Sequence, residues 1–152
     1  REKKNLIYNV TVDNYTTPYG TYLTIEISTK NKNIEAVIFG VITILKNLVR
    51  GKFSHEYLKY VKKAYMVDHH SQCKNNEYFN DFYGQQYINQ LYNPTEEMNI
   101  LEPDDVTKNI KNLEKLKFVL FLKKLIIFSN MKIAYQGKRE VKNLQSLVLK
   151  RI

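Results

Sequence analysis

The sequence predicts an α+β fold: an antiparallel sheet with long helices packed on one face. Three observations carry this. Two runs, residues 6–13 and 22–29, alternate apolar and polar side chains and flank a turn region with Pro18 and Gly20. From Ile34 onward the apolar spacing switches to three and four, the period of a helix face. An apolar content of 43% suits a packed globule and is too high for a disordered chain.

The elements follow in order. The first strand places Leu6, Tyr8, Val10 and Val12 on one face. The second places Leu23, Ile25 and Ile27 on its buried face, so the two form an antiparallel hairpin. The first helix starts near Asn33, with a stripe of Ile34, Val37, Ile38, Val41, Leu45 and Leu48, and stops at Arg50-Gly51. Gly40 inside it marks close packing, because an interior glycine otherwise weakens a helix. Ser54 caps the second helix, which runs to about His70, with Phe53 and Leu58 as a hydrophobic staple. A third helical stretch carries Phe79, Phe82, Tyr83, Tyr87 and Leu91 on one side and ends at Asn93-Pro94. Pro103 with Asp104 and Asp105 opens a fourth helix, since proline has no donor to lose there and acids suit the positive helix end. A short helix follows, with Leu116, Val119, Leu120, Leu122 and Leu125 as candidates for burial. Residues 131–137 read as a third strand and residues 140–149 as a last helix.

A chain of 152 residues fits one module. It begins inside a charged run without an initiator methionine, and we read it as a piece of a longer chain, its core incomplete at the N-terminus. The net charge of +9 favours acidic partners. Its distribution disfavours nucleic acid as the main one: no Lys or Arg lies between Glu77 and Asp105, and the chain turns strongly basic only from Lys108. The single cysteine, Cys73, forms no internal disulfide, which fits a reducing, cytoplasmic setting. The richest apolar run, Phe118 to Leu122, is broken by Lys123-Lys124 and is too short for a membrane span.

Several stretches together resemble the C-terminal module of the pitrilysin, insulysin and mitochondrial processing peptidase family of zinc metallopeptidases. Arg1-Glu2-Lys3, Leu6, Tyr8 and Val10 resemble that family's opening strand, and Tyr19-Gly20-Thr21-Tyr22-Leu23-Thr24-Ile25 its second strand. Gly51-Lys52-Phe53-Ser54-His55-Glu56-Tyr57-Leu58 resembles its second long helix start. Glu102-Pro103-Asp104-Asp105-Val106 and the stretch from Asn130 to Lys138 resemble the late helix start and closing strand. Ile7 departs from the pattern, where the pitrilysin branch often has glycine.

The resemblance implies an α-β roll like those of these peptidases and of LuxS. It implies that Arg1 grips the substrate backbone with its fork of donors, and that Tyr8 donates to the oxygen that turns anionic when the scissile carbonyl is attacked. The inverted zinc signature H-x-x-E-H is absent. The resemblance therefore puts zinc and the general-base glutamate on a partner N-terminal module, and this chain does not hydrolyse peptides alone. Peptide substrate and that zinc-binding module are the expected partners. Two alternatives stay open: a catalytically inactive homologue serving as scaffold, and an unrelated basic nucleic-acid-binding module. For Tyr8 the plain alternative is a core side chain, since it alternates with Leu6, Val10 and Val12. His69, His70 and Cys73 have helical spacing that lets a pair touch one metal, but two ligands do not make a site.

Overall fold

A computed structural model of the chain describes residues 6–17, 20–92 and 100–137. Arg1, the Asn93-Pro94 stop and the helix expected over residues 140–149 lie outside the described residues. The order is β1 (Ile7–Thr17), β2 (Gly20–Thr29), α1 (Ile34–Val49), α2 (His55–Gln72), α3 (Asn76–Tyr92), α4 (Pro103–Asn112) and α5 (Lys115–Leu125). The fold class is α+β. The fold separates into two compact units: residues up to Lys52 together with those from Val119 onward, and Phe53–Phe118.

In the first unit, β1 and β2 form an antiparallel ribbon in which Val10 faces Ile27 and Val12 faces Ile25. The opposite face carries Tyr15 stacked on its cross-strand partner Tyr22, with ring centroids 5.4 Å apart. Among the described residues the sheet has two strands. A ribbon this narrow covers little of itself: Ile25 and Ile27 are half-buried, while Val10, Val12 and Leu23 are exposed. The buried face expected for β2 is therefore only partly realised.

The register carries one irregularity. Ile7 pairs with Thr29 and Asn9 with Ser28, so two residues of β1 advance against one of β2. Tyr8 is the extra residue, and this is a β-bulge. Leu6, just ahead, is tied down through its carbonyl, which accepts from the Thr29 hydroxyl and from Asn33 Nδ2 at 3.3 Å.

Helix α1 buries Ile34, Val37, Ile42 and Leu45, a stripe overlapping the one the spacing predicts. It ends as expected in a Schellman motif: Gly51 N donates to Leu48 O, Lys52 N donates to Asn47 O, and Gly51 takes a φ of 66°. Gly40 corrects an expectation. A Cβ there would meet nothing within 4 Å, so no close packing requires the glycine.

The stretch from Met131 to Gly137 is a further correction, since it forms no strand among the described residues. It keeps the alternation that suggested one: Met131, Ile133 and Tyr135 are half-buried, Lys132 and Ala134 exposed. Its anchoring comes from side chains rather than a backbone ladder. Tyr135 donates its hydroxyl to Asn31 Oδ1 at 3.0 Å, and a side chain at Gly137 would collide with the Tyr135 ring.

In the second unit, Ser54 caps α2 as predicted, its hydroxyl accepting from Tyr57 N at 3.0 Å. Lys62 reaches the end of α4, donating to Lys111 O at 2.6 Å and Leu113 O at 3.0 Å, which satisfies carbonyls the helix leaves open. Lys115 donates to Phe53 O, ahead of α2, at 2.6 Å while its ammonium lies 4.8 Å from the Phe53 ring centroid. The apolar stripe of α3 is only half used: Phe79, Phe82 and Tyr83 are half-buried, Tyr87 and Leu91 exposed. Of the residues expected buried on α5, Leu116 in this unit is exposed; in the part of α5 from Val119 onward, which belongs to the first unit, Leu122 is buried and Leu120 and Leu125 are exposed. Among the described residues, no helix is long and apolar enough to cross a membrane.

Candidate functional site

Tyr8 is the extra residue of the bulge, and its ring is 58% exposed; Val12 at 58% and Val10 at 48% are exposed alike, so this follows from the narrowness of the ribbon and not from the bulge. The core reading of Tyr8 is thus overturned, and the phenol faces solvent. Lys30, just after β2, places its ammonium 5.9 Å from the Tyr8 ring centroid. The cation therefore lies over the ring of Tyr8 at one corner of the ribbon.

A second cluster, unforeseen from sequence, centres on His69 in the other unit. His69 is 4% exposed, and with Leu58 it is one of two fully buried side chains of α2. Its Nε2 lies 3.0 Å from Pro103 O, and its Nδ1 lies 2.8 Å from the Tyr78 hydroxyl. A carbonyl only accepts, so Nε2 carries the proton; in the neutral ring Nδ1 then accepts from Tyr78. Tyr65 stacks on the imidazole and Tyr78 meets it edge-on, at centroid separations of 5.9 and 5.7 Å. One imidazole thereby ties α2 to the starts of α3 and α4.

The sequence signal for this was present. His69 lies eleven residues after Leu58 (three helical turns) and four after Tyr65, on the same face of α2. The proximity of Cys73 is as the spacing suggests, with Sγ 3.8 Å from His69 Nε2. Both His69 nitrogens already have protein partners. No group of three or more His, Cys, Asp or Glu among the described residues could hold a metal. The donor set does not fit zinc.

Beside this cluster lies an open pocket of about 410 Å³, lined by His70, Cys73, Phe79, Tyr83, Glu102 and Asp104 among others. Tyr83 donates its hydroxyl to Glu102 Oε2 at 2.6 Å. Gln86 fixes the approach to α4 from both sides, its Nε2 donating to Leu101 O at 3.1 Å and its Oε1 accepting from Leu101 N at 2.7 Å. At the helix start Glu102 N donates to Asp105 Oδ2 at 3.3 Å, with Pro103 in the first turn.

Two phenols have raised pKa values. Burial raises Tyr78, helped by the nearby Cys73 and Tyr65. The bond to the Glu102 carboxylate raises Tyr83, because a phenolate there would lose its acceptor and face a like charge. Raised values mean the folded state favours the neutral phenols. Their stabilisation is complete below the ordinary value of 10.0 and is lost as pH rises through the folded value. Urea midpoints are expected to fall with pH on the alkaline side, and Tyr78→Phe is expected to flatten part of that slope while leaving the share of Tyr83. Identical slopes for the two proteins would contradict the assignment.

Against known proteins, no family model, no curated protein and no solved structure matches this chain.

Proposed function

We propose that the chain is a zinc-free, substrate-binding module of a pitrilysin-type metalloendopeptidase, working beside a zinc-bearing module. The observation that carries this reading is Tyr8, the unpaired residue of a β-bulge, with its phenol in solvent next to Lys30. Bulges re-aim side chains and recur beside active sites. The order of a ribbon followed by two long helices and a proline-opened later helix supports the reading, because the resemblance implies that order. So does the ribbon itself, which among the described residues has two long strands and no third, and could accept an extended peptide as an added strand through backbone donors and acceptors.

On this reading the module positions substrate. The peptide lies along the ribbon, Arg1 holds its backbone, and Tyr8 donates to the scissile carbonyl oxygen as charge develops there. The finer architecture, an α-β roll closing over the substrate, belongs to the same proposal. Zinc and the general base come from the partner module, with no share for the residues of this chain.

The test is a titration of the isotope-labelled chain with an extended acidic peptide, followed by amide signals. Shifts confined to β1, β2 and Lys30 are expected. Shifts confined to α3 and α4, or none, overturn the reading. A parallel titration with single-stranded RNA separates the alternative, since phosphate-driven binding falls steeply as salt rises.

A further inference from the structure

The pocket beside α4 has a chemistry that peptide capture on the ribbon does not use. The chain holds 24 Lys and Arg, yet none lines this pocket. Two carboxylates, Glu102 and Asp104, do, together with the rings of Phe79 and Tyr83. The segment supplying most of these walls, Glu77 to Asp105, contains no Lys or Arg in its sequence. His69 and His70 also line it, and Glu102 and Asp104 are exposed at its rim, so the pocket is an open recess with an acidic rim and an aromatic wall on a basic protein.

Its position at a helix N-terminus argues first for an anion, because the helix end carries about +0.5 of a charge. Two carboxylates outweigh that, leaving a balance of about −1.5. The free donors at the helix start are few: Pro103 has none, and the N–H groups of Asp105 and Val106 both donate to Glu102 O. An acid near a helix start needs no further explanation, but the aromatic wall does. Phe79 and Tyr83 stack at 6.2 Å, and Phe82 meets Tyr83 edge-on at 5.2 Å, so the Tyr83 ring is held in place. The bond from Tyr83 also orients the Glu102 carboxylate, which retains further lone pairs for a second donor. A volume of about 410 Å³ lies in the range of small-ligand sites.

We propose that this pocket binds a guanidinium group, its flat face on the aromatic wall and its N–H fork on Glu102 and Asp104. A planar cation suits both surfaces at once, since it stacks on rings and pairs with carboxylates through parallel hydrogen bonds. The guanidinium can belong to an arginine in a polypeptide or to a free small molecule. The site lies in the Phe53–Phe118 unit and is independent of Tyr8, so either proposal can fail without the other.

The test titrates the full chain with ethylguanidinium, with a capped Gly-Arg-Gly peptide and with a capped Gly-norleucine-Gly control. Binding is read from the amide signals of Cys73 and Thr107. Saturable shifts with both cationic probes, weakening with salt, are expected. Tighter binding of the peptide assigns the natural source to a polypeptide; equal binding assigns it to a free guanidino compound. Asp104→Asn and Glu102→Gln, each checked for native helix content by circular dichroism, are expected to weaken binding about tenfold or more. Asp81→Asn, on α3 outside the lining, should leave it unchanged. Equal binding of the norleucine peptide, no saturation in the millimolar range, or unaltered affinity in both folded pocket variants would overturn the proposal.

Discussion

Replacing His69 with alanine is expected to lower the stability of the Phe53–Phe118 unit by about 3 kcal/mol, the largest structural effect anticipated for this chain. Three contributions add. The buried ring leaves a cavity next to Tyr65 and Tyr78. The Tyr78 hydroxyl, half-buried, loses its acceptor. The Pro103 carbonyl loses one donor, though Thr107 Oγ1 still reaches it at 3.3 Å. The loss weighs heavily here because this unit has little else buried: Leu58 is its other fully buried side chain among the described residues. His69→Gln keeps a donor able to reach the Pro103 carbonyl and should recover part of the deficit. Urea unfolding followed by circular dichroism measures both; an unchanged midpoint for His69→Ala would remove the imidazole from its place as the tie between three helices.

On the proposed reading, Tyr8→Phe assayed together with the zinc-bearing module is expected to lower turnover about 100- to 1000-fold, the usual cost of deleting one donor to a developing oxyanion. The fall should appear in kcat far more than in KM, because the hydrogen bond strengthens only as the carbonyl oxygen gains charge. Stability should stay within about 0.5 kcal/mol of wild type, as for surface substitutions away from special features, since the ring is exposed and phenylalanine keeps its contact with Lys30. Unchanged turnover would take Tyr8 out of the chemistry. A parent complex with no peptidase activity at all would favour the inactive-homologue alternative.

Local signals in the sequence were readable where a single residue type has one structural job. Gly51 ends α1, Ser54 caps α2 and Pro103 opens α4, each at the position its backbone chemistry requires. The two strands were legible from their alternation. What alternation could not show is the bulge at Tyr8, because register depends on which residues of β2 lie opposite. The same limit applies to Met131–Tyr135, whose side chains alternate without a partner strand among the described residues to complete a ladder. The spacing of His69 to Cys73 suggests a pair that could touch a metal and says nothing of burial. The burial of His69 follows from the Leu58 face of α2, which points inward. Glu102 reads as part of a helix start, and nothing local indicates that Tyr83, nineteen residues earlier, holds it.

The ribbon has a consequence for handling the protein. Neither β1 nor β2 contains a lysine, and their charged residues are Asp13 and Glu26, both on the Tyr15 and Tyr22 face. The Val10, Val12, Ile25 and Ile27 face carries no charge to keep other copies away. Long strands with Val10, Val12 and Leu23 exposed offer themselves to other copies of the chain, and lateral zipping into fibrillar deposits is the natural failure of such an edge. On the proposed reading, a companion module covering the ribbon would act as a chaperone as well as a collaborator, and the chain made alone should stay in solution only when dilute.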